Sequence, residues 1–156
     1  MRVDSKYLDF FYLILLVTII VGLPYGIRTY DRQMWQKKIG PGAKEFTLTG
    51  NTERGWLLGE VHALDVLSLG KARTPAEKPV ITVHKGDRVV LKLKSSDVIH
   101  GFSLKDAGII ITSGIYPGKV VLVSFIADKV GKFTFSCNAI CGKNHENMQG
   151  TLVVRA

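Results

Sequence analysis

Residues 80–94 read VITVHKGDRVVLKLK, and this stretch decides the fold class of the C-terminal part of the chain. Apolar and polar residues alternate from Val80 to His84, which is the period of a half-buried β-strand. Residues 85–87 are a turn signal, and the alternation resumes over residues 88–94. We therefore predict two strands that are joined as a hairpin.

The same pattern continues on both sides of this stretch. Four further strands are predicted, over residues 98–104, 119–127, 132–137 and 151–155. Residues 44–49 predict an edge strand, whereas residues 56–69 are apolar but do not indicate one type of element. Short strands between turn signals indicate a mainly β sandwich or barrel. The sequence does not show the alternation of helices and strands that would suggest a parallel sheet.

An uncharged apolar run occupies residues 10–27. A helix of about twenty residues spans the roughly 30 Å hydrocarbon core of a bilayer. A cleavable signal peptide is the main alternative, but it has a shorter apolar core and a small-residue cleavage site, which this run lacks. We predict an uncleaved anchor with its flanks at residues 1–35, a linker at 36–45 and a globular domain at 46–156.

Four candidate metal ligands fall within the twelve residues CNAICGKNHENM, residues 137–148. They are Cys137, Cys141, His145 and Met148, and His100 offers a fifth from elsewhere in the chain. Thiolate and thioether sulfur favour copper in its lower oxidation state, and imidazole also suits copper. The cysteine pair has three interpretations. It forms a disulfide, it supplies one ligand to a mononuclear site that ignores the other cysteine, or it supplies two bridging thiolates. A second cysteine in the same loop favours two thiolates and two copper ions.

These residues resemble the binuclear CuA domain of cytochrome c oxidase subunit II, a motif also found in nitrous-oxide reductase. The resemblance covers roughly residues 79–156, and SDVIHGF at residues 96–102 is similar to the family's segment around its first histidine. It implies terminal imidazoles, bridging thiolates, an axial thioether and one backbone carbonyl around two copper ions. The implied ligands are His100, Cys137, Ala139 through its carbonyl oxygen, Cys141, His145 and Met148.

Ala139 departs from the family pattern. Most members carry Glu there, and its carboxylate helps to bind a magnesium or manganese ion shared with subunit I. Alanine keeps the backbone carbonyl but has no carboxylate. We therefore expect a CuA centre without that second metal site.

The resemblance also implies a fold and a function. The family domain is a cupredoxin-like Greek-key sandwich or barrel, here with one N-terminal transmembrane helix. The short chain and single anchor resemble subunit II of the B-type haem-copper oxidases. Such a subunit takes electrons from cytochrome c or another small carrier and passes them to haem in subunit I, and it catalyses no chemistry alone. A free-standing membrane-tethered CuA carrier and a copper-delivery protein are alternatives.

Two arguments about orientation conflict. Two basic residues precede the apolar run and five follow it up to residue 44, so the positive-inside rule places the domain in the cytoplasm. The copper ligands and the resemblance imply a single-pass protein of the cell (inner) membrane whose C-terminal domain faces the periplasm or the outside. We favour the outward orientation.

The net charge of +8 indicates affinity for anionic lipid headgroups or an acidic partner, and it fits poorly with a strongly basic cytochrome c. Aromatic and basic residues are not interleaved as in a nucleic-acid-binding motif, so no nucleic acid is expected as a partner. No serine–histidine–acid set, glycine-rich phosphate loop or paired-carboxylate site stands out.

Other polar and aromatic residues have supporting roles in this interpretation. Asp97 or Glu146 is expected to orient the ring nitrogens of the site histidines. Trp56 is expected to be a half-buried packing residue. His62 and His84 have no partner at ligand spacing and are expected to be structural or surface residues.

Overall fold

A computed structural model describes residues 5–61, 77–142 and 145–156, so His62 lies outside the described residues. The chain divides into two compact units, Met1–Pro41 and Gly42–Ala156. The described part of the first unit is helical, and the second unit is built from β-strands.

The first unit contains one apolar helix, in agreement with the predicted anchor. Helix α1 spans Ser5–Val17, a π-helical turn spans Thr18–Gly22, and helix α2 spans Leu23–Ile39. Pro24 has no N–H to pair with the carbonyl four residues earlier, and the wider π-helical turn lies just before it. By length and composition, Tyr7–Ile39 can cross a membrane.

The segment between the helix and the first strand is shorter than the predicted linker. Residues 36–39 continue α2, and the first strand begins at Lys44. Only residues 40–43 lie outside regular structure.

Nine strands lie within the described residues of the second unit. They are β1 (Lys44–Asn51), β2 (Gly55–Leu58), β3 (Val80–His84), β4 (Arg88–Ser95), β5 (His100–Leu104), β6 (Ile109–Ile115), β7 (Val121–Ile126), β8 (Gly131–Ser136) and β9 (Gln149–Arg155). One sheet has the order β2-β1-β4-β7, and the other has the order β3-β9-β8-β5-β6. The mainly β, two-sheet prediction is confirmed.

One apolar core lies between the two sheets and draws on both of them. Leu91 and Leu93 of β4 are buried from one sheet, and Phe102 of β5 and Phe135 of β8 are buried from the other. The two phenylalanine rings lie 5.7 Å apart between centroids, and Trp56 of β2 meets Phe102 edge-on at the same distance. The contact between Trp56 and Phe102 joins the two sheets.

The predicted hairpin between residues 80–84 and 88–94 is wrong. Strand β3 pairs in parallel with β9, whereas β4 lies between β1 and β7 in the other sheet. The intervening turn carries the chain across the sandwich, because the Lys85 N–H donates to the Arg155 carbonyl and the Gly86 N–H donates to the Ala127 carbonyl. Alternation of residues identifies the buried face of a strand but does not identify its neighbours.

Two other strand predictions need correction. Strand β1 is not an edge strand, because it pairs with β2 on one side and in parallel with β4 on the other. Strand β6 has no counterpart among the predicted strands, because residues 109–114 read IIITSG and lack a period of two. The parallel β1–β4 and β3–β9 pairs make both sheets mixed, although no βα pattern is present.

The topology brings three loops to one end of the sandwich. Strand β5 begins at His100, and its antiparallel neighbour β8 ends at Ser136, directly before Cys137. Strand β9 runs antiparallel to β8 and begins at Gln149, directly after Met148. Residues at the start of β5, the end of β8 and the start of β9 therefore lie together.

Candidate metal centre

The cysteine loop between β8 and β9 brings two free thiols together. The sulfur atoms of Cys137 and Cys141 lie 3.6 Å apart, and both side chains are buried. A disulfide requires about 2.05 Å between sulfur atoms, so the two are unbonded. The Cys137 N–H donates to the Met148 carbonyl at 3.0 Å and closes the loop at its base. The backbone thereby fixes both thiols relative to the sheet.

Cys141 lies at the centre of the donor atoms supplied by this loop. Its sulfur is 3.6 Å from Nδ1 of His145, and its thiol donates to the Met148 sulfur at 3.1 Å. His145 begins a short 3₁₀ turn that ends at Asn147. Met148 is fully buried at the end of the loop. The carbonyl oxygen of Ala139 lies 3.3 Å from the Cys137 sulfur.

His100 enters the same cluster from β5 and is fully buried. A ligand nitrogen of His100 and the sulfur atoms of Cys137 and Cys141 all lie within 4.8 Å of one another. The Nε2 atom of His100 lies 2.8 Å from Oδ1 of Asp97, and this carboxylate oxygen accepts a hydrogen bond from the Nε2–H. With Nε2 protonated, Nδ1 carries a lone pair, and this buried atom has no hydrogen-bond partner among the described residues.

The electrostatics of the cluster favour one ionised thiol. Burial opposes ionisation of Cys137, but the neighbouring His100 imidazole and hydrogen bonds from the main chain of residues 139 and 101 outweigh it and lower the pKa of this thiol. Burial and the neighbouring Cys137 thiolate both raise the pKa of Cys141. Two adjacent thiolates repel each other unless a cation lies with them, so the pair is suited to a metal ion.

Asp97 and His100 stabilise each other's charged forms. Burial raises the pKa of Asp97, but hydrogen bonds from Thr52 and His100 outweigh burial and lower it overall. Burial lowers the pKa of His100, but interactions with Cys137 and Asp97 outweigh this effect and raise it. The expectation that Asp97 orients a site histidine is therefore met by geometry, whereas Glu146, the other candidate, is exposed.

Two glycines allow this packing, and the sequence reasoning did not identify either one. A Cβ atom at Gly50 would lie 2.7 Å from Cδ2 of His100, so the imidazole rests directly on the backbone of β1. The Gly101 N–H donates to the Cys137 sulfur at 3.3 Å. A Cβ atom at Gly101 would overlap the Asn138 side chain. A glycine inside a strand signals a close approach of backbone, which was the available clue.

Trp56 forms one wall behind the site. Its ring centroid is 6.1 Å from that of His100, and only 1% of the residue is exposed. The predicted packing role is confirmed, but the residue is fully buried and not half-buried. His84 lies on the surface, as expected, with Nδ1 4.0 Å from Asp87.

The donor set fits copper. Two thiols, a thioether and two imidazoles are ligands that copper accepts in its lower oxidation state, and hard cations prefer oxygen. The fit is most specific at His100, where one ring nitrogen donates to a carboxylate and the other is buried and unpartnered. This is the usual arrangement of a metal-binding histidine.

The fold and these donors together define a cupredoxin-like copper domain. The family model described as "Cytochrome C oxidase subunit II, periplasmic domain" matches residues 61–156. The chain therefore belongs to the cytochrome c oxidase subunit II family. His100 and the whole of residues 137–148 lie inside the matched region.

Curated relatives agree with this family. Two proteins named cytochrome c oxidase subunit 2, both from Thermus thermophilus, are each 39% identical to this chain over 75 residues, or 48% of its length. The alignments cover 54% of one relative and 44% of the other. The chain thus spans about half the length of the curated relatives that it matches.

Solved structures share the fold at low sequence identity. The periplasmic domain of subunit II of cytochrome oxidase from Bradyrhizobium japonicum gives a TM-score of 0.52 at 21% identity, covering 74% of this chain and 86% of that one. A chain of a haem-copper terminal oxidase dimer gives a TM-score of 0.53 at 19% identity, covering 99% of this chain and 100% of that one. These likenesses support the cupredoxin-like fold.

Proposed function

We propose that this chain is the electron-input subunit of a respiratory haem-copper oxidase and holds a binuclear CuA centre. The proposed ligands are His100, Cys137, Ala139 through its carbonyl oxygen, Cys141, His145 and Met148. The observation that carries the proposal is the pair of unbonded thiols 3.6 Å apart beside the unpartnered Nδ1 of His100. A disulfide uses neither the imidazoles nor the thioether, and a mononuclear site of one cysteine, two histidines and a methionine leaves one thiol unused.

When bound, copper supplies the capacity to accept and release single electrons. The chain's own residues hold the donor atoms in one arrangement, since a site on a rigid sheet needs little rearrangement between redox states. Met148 and Trp56 are buried and exclude water beside the sulfur atoms. An apolar shell of this kind tunes the reduction potential of a metal site. Ala139 offers no carboxylate, so no magnesium ion is part of the proposal.

The proposed partners are subunit I, with its haem, and cytochrome c or another small carrier as electron donor. The proposed location is the cell membrane, with residues 1–35 as anchor and flanks and with residues 46–156 facing the periplasm or outside. The family model of a periplasmic domain and the apolar helix Tyr7–Ile39 support this orientation. Protease added to intact spheroplasts is expected to digest the domain, and a protected domain would contradict the orientation.

Copper content tests the site. We expect two copper ions per full-length chain, and we expect Cys141→Ser to abolish this stoichiometry because Cys141 contacts three other donors. Ile140→Ser is the matched control, since this residue is in the same loop but is 97% exposed. Equal copper content in Cys141→Ser and Ile140→Ser would refute the assignment.

Co-purification tests the role in an oxidase. A tag on the full chain is expected to retrieve a large haem-binding membrane subunit from its native membrane after mild solubilisation. Retrieval of the copper-loaded chain alone, from membranes that contain an active oxidase, would favour the free-standing carrier instead.

A further inference from the structure

The turn between β1 and β2 contacts the carboxylate that holds His100. Both the main-chain N–H and the hydroxyl of Thr52 donate to Oδ2 of Asp97, and each bond is 2.6 Å long. The other oxygen, Oδ1, accepts from Nε2 of His100 at 2.8 Å. A single carboxylate group therefore links Thr52 to the imidazole.

This linkage restricts the rotation of the Asp97 side chain. Two donors hold Oδ1, the Val98 N–H and the His100 Nε2–H, both at 2.8 Å, but neither of them holds Oδ2. Two donors on Oδ2 fix the carboxylate plane, because charge-assisted hydrogen bonds are short and directional. Orientation of the carboxylate then fixes the direction of the Nε2–H bond, and with it the direction of Nδ1.

The same turn is also anchored at the two residues before Thr52. The Asn51 amide donates to the Ser96 hydroxyl at 3.0 Å, and the Ser96 N–H donates to the Gly50 carbonyl at 3.0 Å. These bonds tie the turn to the loop that leads into His100. Thr52 is therefore not a loose surface residue that meets Asp97 by chance.

Thr52 also lies near the cysteine loop. A Cβ atom at Gly142, the residue after Cys141, would lie 3.4 Å from the Thr52 methyl group. Gly142 has a φ of +139°, which strains other residues, so the loop passes close to Thr52 in a conformation that suits glycine. One threonine thus hydrogen-bonds the carboxylate that holds His100 and lies near the cysteine loop.

We propose that Thr52 is a positioning residue that orients His100 for copper through Asp97. The proposal rests on the proposed function of the site, and it concerns a residue outside the matched family region of residues 61–156. Loss of an outer partner of a metal-binding histidine typically weakens metal binding by about 10- to 100-fold.

Conservative substitutions separate the hydroxyl from the packing. Thr52→Val keeps the shape and the main-chain N–H but removes the hydroxyl, whereas Thr52→Ser keeps the hydroxyl. Thr49→Val is the matched control, because it also removes a hydroxyl that donates a hydrogen bond, here to the backbone carbonyl of Gly59 at 2.7 Å and away from Asp97. If Thr52→Val does not fold, Thr52→Ala takes its place.

The experiment measures Cu(I) affinity of the full-length chain by competition with a chromophoric chelator, together with the reduction potential. We expect about tenfold weaker binding and a shifted potential in Thr52→Val, with Thr52→Ser and Thr49→Val close to wild type. Unchanged affinity and potential in Thr52→Val would overturn the proposal. So would an equal loss in Thr49→Val or in Thr52→Ser.

A second readout separates this proposal from the proposed function. Nitrogen-15 NMR of the metal-free full chain reports the exchange of the His100 Nε2 proton with solvent. We expect faster exchange in Thr52→Val than in wild type, Thr52→Ser or Thr49→Val. If wild type binds no copper, the proposed function fails, but this exchange rate still decides whether Thr52 positions His100. Equal exchange in all four proteins would refute the positioning role.

Discussion

Substitution of Gly50 by alanine tests the packing beneath His100. The added Cβ atom would lie 2.7 Å from Cδ2 and 3.0 Å from Cγ of the imidazole. The ring must retreat by about 0.7 Å to reach ordinary contact at 3.4 Å. His100 is fully buried, so there is no solvent-filled space for that movement. The same shift can stretch the 2.8 Å bond to Asp97 to the limit of a hydrogen bond.

Two opposing effects set the size of the change in stability. An alanine that fits its site stabilises a protein by about 0.4–1 kcal/mol relative to glycine, because the unfolded chain loses entropy. Overpacking of a well-packed interior costs about 1–3 kcal/mol. We therefore expect Gly50→Ala to lower the free energy of unfolding by about 1–2 kcal/mol and to weaken copper binding by about tenfold.

Urea unfolding followed by circular dichroism and Cu(I) competition provide the two measurements. Gly26→Ala is the control, because a Cβ atom there meets nothing within 4 Å, and we expect its copper affinity to equal that of wild type. A Gly50→Ala protein that is more stable than wild type and binds copper equally well would refute the proposed contact between Gly50 and His100.

Three further changes have defined outcomes. Met148→Leu conserves volume at a fully buried site, so it should lower the free energy of unfolding by less than about 1.5 kcal/mol. Loss of the thioether should raise the reduction potential of the site, as measured by voltammetry. An unchanged potential would contradict a ligand role for Met148. Phe135→Ala should lower the free energy of unfolding in urea by about 3–5 kcal/mol. Ile126→Ala, at a residue that is 64% exposed, should lower it by about 0.5 kcal/mol or less. Equal losses would contradict the placement of Phe135 in the core. Hydrogen bonds from Lys44 and the main chain lower the pKa of Asp87. The ionised Asp87 therefore stabilises the folded state above about pH 4, and this stabilisation fades as the pH falls. The stability difference between wild type and Asp87→Asn should therefore shrink in urea titrations below pH 4, and a constant difference contradicts this.

The sequence predicts the part of the site that is local in the chain. Cys137, Cys141, His145 and Met148 lie within twelve residues, so their proximity follows from the spacing alone. The sequence offers His100 as a fifth donor by its residue type, but no periodicity links it to the cysteine loop, and its place as a terminal ligand follows from the resemblance. The structure brings all of these donors together with the Ala139 carbonyl.

The remainder of the site depends on the pairing of distant strands. Gly50 and Thr52 reach His100 and Asp97 because β1 lies beside β4, and the alternation of residues 44–49 gives no register with residues 88–94. The same limit explains the wrong hairpin, since Val83 and Val89 are both buried but belong to different sheets. Alternation fixes a buried face, and only tertiary packing selects the neighbouring strand.

Electron paramagnetic resonance of the copper-loaded full-length chain tests the central claim most directly. We expect two copper ions per chain and a hyperfine pattern in which one unpaired electron is shared equally by two copper nuclei. One copper ion per chain with splitting from a single nucleus would contradict it, because Cys137 and Cys141 could not then both bridge two metals.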